Sequence, residues 1–84
     1  MIQVRYFARL REALGRDGEE LRWGVEIAQV AGLTRHLLAR GGVWERELGP
    51  GARYRVAVNR QLAGPEAAIR DGDEVAYFPP VTGG

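Results

Sequence analysis

The run Phe78-Pro79-Pro80-Val81-Thr82-Gly83-Gly84 ends in a group that could do chemistry. Two adjacent prolines fix two φ angles and offer no backbone N–H, so a strand cannot continue through them. Gly83 and Gly84 carry no side chain and accept almost any backbone conformation. A stiff neck and a thin tip place an α-carboxylate where an enzyme could draw it into a narrow channel. The preceding residues argue against a frayed end. Asp71-Gly72 is a turn signal, Val75 to Phe78 is a short apolar run of strand character, and the neck follows without a spare residue.

No other part of the chain forms a catalytic constellation. There is no cysteine, no serine and a single histidine, so thiol, disulfide and serine-triad chemistry are excluded. His36 falls at the edge of a helical apolar stripe, with no second ligand or carboxylate at suitable spacing, and reads as a boundary residue. Asp71, Asp73 and Glu74 are explained more simply by turn chemistry than by a metal or an acid–base pair. Gly41-Gly42 matches no phosphate-binding loop. All twelve basic residues are arginine, so no side-chain amine can accept an acyl group. These residues predict a protein that carries or touches something and catalyses nothing alone.

The elements that must position the tail follow from hydrophobic periodicity. Ile2-Gln3-Val4-Arg5-Tyr6-Phe7 alternates and predicts a strand with Ile2, Val4 and Tyr6 on one face. Residues 8–14 predict a short helix in which Leu10 and Leu14 share a face, with Gly15 closing it. Residues 20–23 predict a second strand carrying Leu21 and Trp23 on one side, and Val25 and Ile27 alternate like its continuation. Residues 30–40 predict the main helix, striped by Val30, Leu33, Leu37 and Leu38 and ended by Gly41-Gly42. Its weak points are Gly32 in the interior and Gln29, which is not a favoured capping residue. Residues 43–48 predict a helical turn anchored by Trp44 and Leu48. Residues 54–58 predict a third strand, Asn59-Arg60-Gln61 a tight turn, and Leu62-Ala63 a brief pairing strand. Ala67-Ala68-Ile69 packs a turn before the last strand.

That order predicts an α+β fold, a mixed five-stranded sheet with one main helix across one face. The first and last strands lie side by side at the centre, as in the ubiquitin-like β-grasp. Residues 1–78 form the domain, and residues 79–84 form a flexible C-terminal tail. Eighty-four residues suffice for one small core. A net charge of +1 with no basic run argues against nucleic acid as a partner. The chain shows no membrane span and no signal-peptide pattern, so a cytoplasmic protein is expected.

Alternation also sorts the strand residues by face. Ile2, Val4, Tyr6, Val56, Val58, Val75 and Tyr77 are expected to form the core face. Gln3, Arg5, Phe7, Arg55, Ala57, Asn59, Ala76 and Phe78 fall on the other face, which meets water. Phe7 and Phe78 do not suit that environment. Parallel central strands would set them side by side below the tail, which predicts an interaction surface.

The run Asp71 to Gly84 resembles the C-terminus of the small subunit of molybdopterin synthase, the MoaD family. The stretches Val4-Arg5-Tyr6-Phe7-Ala8-Arg9-Leu10-Arg11-Glu12 and Val58-Asn59-Arg60-Gln61-Leu62 are similar to the same family, so the resemblance spans the chain. Its tail motif is specific, whereas the β-grasp alone would not be. Gln29 replaces a threonine-like cap and Tyr77 stands where phenylalanine is common; neither touches the chemistry. The resemblance implies a sulfur carrier with no bound cofactor and no metal. A MoeB-like enzyme adenylates the carboxylate of Gly84, and sulfur displaces AMP to give a covalent thiocarboxylate. A MoaE-like large subunit, in a heterotetramer, holds the active site. It receives Val81, Thr82, Gly83 and Gly84 and takes the sulfur into cyclic pyranopterin monophosphate. The resemblance also implies a partner interface at Phe7, Leu62 and Phe78. Two other expectations share the fold and the Gly-Gly end. One is a carrier for thiamine or tRNA thiolation; the other is an interaction module whose carboxylate is never activated. The Pro79-Pro80 neck favours the molybdopterin branch.

Overall fold

Strand β1, Ile2–Tyr6, buries every second side chain, and Ile2, Val4 and Tyr6 are almost wholly enclosed. The computed structural model describes residues 1–80. Next come helix α1 (Ala8–Leu14), β2 (Gly18–Leu21), α2 (Val30–Leu38), α3 (Val43–Leu48), β3 (Arg55–Val58), β4 (Gln61–Ala63) and β5 (Glu74–Phe78). The five strands form one sheet in the order β2-β1-β5-β3-β4. Strands β1 and β5 are parallel, with Val4 opposite Val75 and Tyr6 opposite Tyr77, and the other pairings are antiparallel. This is the expected β-grasp.

The core lies between the sheet and the helices. Val56, Val75 and Tyr77 join the β1 residues; α1 contributes Leu10 and Leu14, α2 contributes Val30, Leu33 and Leu37, and α3 contributes Trp44 and Leu48. Val58, expected in the core, is only half-buried, because it lies at the strand end where the β3–β4 hairpin turns. Tyr77 reaches across to α2, where its hydroxyl and that of Thr34 share a buried hydrogen bond of 2.7 Å. That bond satisfies two polar groups that would otherwise be stranded in an apolar core.

Three expectations change. Strand β2 begins at Gly18 and ends at Leu21, two residues earlier than predicted. Gly18 lies so close to β1 that a Cβ there would be 2.7 Å from the Val4 carbonyl oxygen, so only glycine lets the edge strand approach. Trp23 leaves the sheet. Its indole N–H donates to the Ile69 carbonyl at 2.8 Å, and it pins the loop before β5 instead of facing the core. Val25–Ile27 is a 3₁₀ turn rather than a strand continuation. It points Val25 into water and buries Ile27.

Helix α2 begins at Val30 as predicted and ends at Leu38, short of residue 40. Gln29 makes no side-chain cap. The first N–H groups are satisfied by distant backbone instead: Val30 donates to the Ala67 carbonyl at 3.0 Å and Ala31 to that of Pro65 at 2.8 Å. Gly32 has a packing role, since a Cβ there would sit 2.4 Å from the Glu26 carbonyl oxygen. Among the described residues, no helix is long and apolar enough to cross a membrane.

A polar cluster seals the core edge at β2. The Tyr6 hydroxyl donates to Glu19 at 2.7 Å, and Arg40 donates to both carboxylate oxygens at 2.7 and 2.8 Å. The Arg40 guanidinium also lies over the Trp44 ring, 4.5 Å from its centre, and Tyr6 meets the same ring edge-on. Burial pushes the Tyr6 phenol up, assisted by its bond to Glu19. At Glu19 burial opposes ionisation, but the bonds from Arg40 and Tyr6 and the charges of Arg40 and Arg16 outweigh it. The carboxyl is therefore held below its ordinary value.

Two predictions follow from this packing. Alanine has the better helix propensity by about 1 kcal/mol, yet Gly32→Ala forces a backbone collision of a kind that costs about 1–3 kcal/mol or more. The variant should therefore melt at lower temperature, and an unchanged or raised Tm would refute the packing role. Glu19 is depressed in the folded state, so its stabilisation is present above the unfolded carboxyl range and is lost as pH falls through the folded value. Glu19→Gln should be less stable than wild type at neutral pH. Its stability should also decline less steeply with acid, as read by thermal melts across the acidic range.

Candidate functional site

The face of the sheet away from the helices is divided into a polar half and an apolar half. At the start of β1 the side chains pair with those of the neighbouring strands: Gln3 donates to Glu20 on β2 at 2.7 Å and Arg5 to Glu74 on β5 at 2.9 Å. Toward the ends of those strands the composition changes. The β1–β5 register continues one step past Tyr6 and Tyr77, where the Phe7 N–H donates to the Tyr77 carbonyl at 3.1 Å. Phe7 therefore neighbours Phe78, as alternation predicts. Phe78 in turn lies opposite Arg55 on β3.

One row inward, Arg5, Ala76, Ala57 and Leu62 lie side by side across four strands. The two alanines form a low apolar floor, and Ala57 is only 8% exposed although it faces outward. Leu62 rises at the edge of that floor and is 69% exposed. Phe7 is 44% exposed and Phe78 half-buried. The three residues expected at a partner interface are thus brought onto one outer surface. Phe78 departs from expectation in degree, since it is partly covered rather than fully in water.

Local structure explains why Phe7 stays uncovered. The chain turns sharply at Ala8, which adopts a left-handed φ of +53°. Helix α1 then packs Leu10 and Leu14 into the core on the other side of the sheet. The first helix does not fold over Phe7. Leu62 is placed by the two-residue turn Asn59-Arg60, both with positive φ, which pairs Val58 with Gln61 and so sets Leu62 against Ala57. That turn was legible as a turn; the alanine floor was not, because small residues on a water face carry no signal in an alternation pattern.

The approach to the tail is built on the turn before β5. Gly72 adopts φ +94°, and its N–H donates to the Met1 carbonyl. Asp71 pairs with the Met1 amino group. Asp73 accepts from the Asn59 amide at 3.0 Å and from the Arg70 N–H at 2.8 Å, and these bonds hold its carboxyl below the usual range. The carboxylates at 71, 73 and 74 are each engaged in turn or strand contacts, and among the described residues no cluster is disposed to hold a metal. Strand β5 then runs to Phe78, and Pro79 and Pro80 follow half-buried. Val81, Thr82, Gly83 and Gly84, expected as the tail and its reactive end, lie outside the described residues.

Comparison with known proteins places this arrangement. The ThiS family matches residues 4–84. The chain is 40% identical to the molybdopterin synthase sulfur carrier subunit of Escherichia coli over 84 residues, covering all of both proteins. It is 39% identical to the Haemophilus influenzae protein of the same name, again over the whole of both. Among solved structures it is similar to the putative molybdopterin converting factor subunit 1 from Pyrococcus furiosus. The TM-score is 0.79 at 34% identity, covering 95% of this chain and 97% of that one. With the tail motif, the outer apolar surface and full-length matches of this kind in agreement, the chain belongs to the ThiS family of sulfur-carrier-like β-grasp proteins.

Proposed function

We propose that this chain is the sulfur carrier subunit of a molybdopterin synthase and that Gly84 is its working end. The observation that carries the reading is the position of Phe78. It is the last residue of the central strand β5, it belongs to the outer apolar surface, and it directly precedes Pro79-Pro80. A partner that covers Phe7, Phe78 and Leu62 is thereby set at the root of the tail. The two full-length relatives both carry the molybdopterin synthase name, which favours this branch over thiamine or tRNA thiolation.

The chemistry needs two steps on one carbon. A carboxylate resists nucleophiles until an oxygen becomes a good leaving group. A MoeB-like adenylating enzyme supplies that by joining the Gly84 carboxylate to the α-phosphate of ATP, with loss of pyrophosphate. A sulfide-level donor then attacks the carbonyl carbon, the bond to AMP breaks, and a thiocarboxylate remains. The sulfur passes to cyclic pyranopterin monophosphate in the active site of a MoaE-like large subunit. The carrier contributes no catalytic group. It contributes a tip narrow enough for two active sites and a surface that docks each time.

Two measurements test this. Incubation with the adenylating enzyme, ATP and a sulfur source should replace one oxygen by one sulfur, located on Gly84 by fragment mass spectrometry. A chain extended by one residue should show no exchange while melting normally. Sulfur found at an internal residue, or exchange on the extended chain, would count against the reading.

The interface is tested separately by calorimetry with the large subunit. Burying a phenylalanine or leucine side chain contributes about 1.5–3 kcal/mol. Phe78→Arg and Leu62→Arg should therefore each weaken binding by about 2 kcal/mol, roughly 30-fold. Leu62→Arg should leave stability within about 0.5 kcal/mol of wild type, as for an exposed surface change. Undiminished affinity in both variants would remove this surface from the interface.

A further inference from the structure

An acyl adenylate is open to any accessible amine, thiol or activated hydroxyl, including those of the protein that bears it. The chain is unusually poor in such groups. It contains no lysine, no cysteine and no serine. Its positive charge is nonetheless ample, and all twelve arginines are exposed. A guanidinium stays protonated at any physiological pH and does not attack an acyl carbon.

Two of the remaining hydroxyls among the described residues are buried and hydrogen-bonded, and a third is half-buried. Thr34 is buried against the Tyr77 hydroxyl at 2.7 Å. Tyr6 is buried and donates to Glu19 at 2.7 Å, and burial pushes both the Tyr6 and Tyr77 phenols up, away from the reactive phenolate. Tyr54 is half-buried with its ring 5.8 Å from that of Tyr77. The Met1 amino group pairs with the Asp71 carboxylate at the surface, stays exposed, and is the one amine the chain still offers. His36 is exposed, but an acyl imidazole is itself an activated species that water cleaves, so it leaves no lasting adduct. Thr82, outside the described residues, is an alcohol, which is weak without a base to activate it.

We propose that this chain is a donor-only acyl carrier, with a surface cleared of side-chain amines and thiols that could capture an activated Gly84, so that copies are never joined to one another through a side chain. The inference rests on the reading of Gly84 as the activated end. The step it suppresses is simple. An amine nitrogen would attack the glycyl carbonyl, a C–N bond would form, the C–O bond to AMP would break, and AMP and a proton would leave. Arginine supplies the surface charge that solubility needs without that nitrogen. A copy attached to an acceptor would offer no side-chain amine on which the next could branch.

The test compares wild type with the triple variant Arg11→Lys, Arg22→Lys, Arg53→Lys. These arginines are exposed and make no ion pair among the described residues. Each protein is prepared with a C-terminal thioester by intein cleavage, which needs no activating enzyme, and is also charged with the adenylating enzyme and ATP without a sulfur donor. At about pH 8 the neutral fraction of a lysine exceeds that of an arginine at least about 100-fold. The variant should therefore yield copies amide-linked at residues 11, 22 and 53, at about 100 times the level found at those positions in wild type or more. Wild type should yield the hydrolysed acid together with any link through the Met1 amino group, and no link at an internal residue. Wild-type copies linked at an internal residue at comparable yield, or no internal link in a variant whose circular dichroism is unchanged, would overturn the proposal. The thioester arm bears on self-capture alone; an inert adenylation arm beside a reactive thioester variant would fault the reading of Gly84 instead.

Discussion

The parallel pairing of β1 with β5 is the constraint on which the rest depends. It brings Gln3 beside Glu74 and Tyr6 beside Tyr77. Because both strands run the same way, the crossover between them must pass over one face, and α2 lies on that face. Once one face is covered, only the other is open to a partner. The same pairing points the end of β5 away from the turn at Gly72, so the neck leaves the sheet beside Phe7 rather than at the far edge. The direction of the tail and the choice of docking face are set by one ladder of hydrogen bonds.

The outer face shows how such a sheet can be water-soluble and adhesive at once. Its polar half is internally hydrogen-bonded, Gln3 with Glu20 and Arg5 with Glu74, the second an ion pair. Exposed pairs of this kind add little stability. The Arg5–Glu74 pair does leave the charge beside the alanine floor matched, where an interface core disfavours lone charge. The alanines at 57 and 76 keep the centre low, so that Phe7, Phe78 and Leu62 stand at its margin as anchors.

Much of the architecture was legible because the alternation at residues 2–7, the apolar run at residues 75–78 and the stripe Val30, Leu33, Leu37 and Leu38 are strong local signals. What was not legible needed partners distant in sequence. Trp23 looked like a strand residue, yet its indole N–H found the Ile69 carbonyl, 46 residues on, and left the sheet. Gln29 looked like a poor cap, and it is one; the backbone of Pro65 and Ala67 supplies acceptors in its place. The bidentate contact of Arg40 with Glu19 joins two residues that carry no joint signal in the sequence. At the site, Phe7 and Phe78 were found by alternation. Leu62 came from family resemblance alone, because a three-residue strand has too little pattern to read.

The central ladder also bears on how the molecule comes into being. Pairing Gln3 with Glu74 closes a loop of nearly the whole chain, and such distant contacts are made late and slowly. On the ribosome, β1 has no neighbour on its β5 side until residues 74–78 have emerged. A transcript cut short, or a product clipped before residue 74, lacks the middle of its sheet. Residues 74–78 both close the core and carry the root of the Pro79-Pro80 neck, so the neck takes its place only when the sheet has closed.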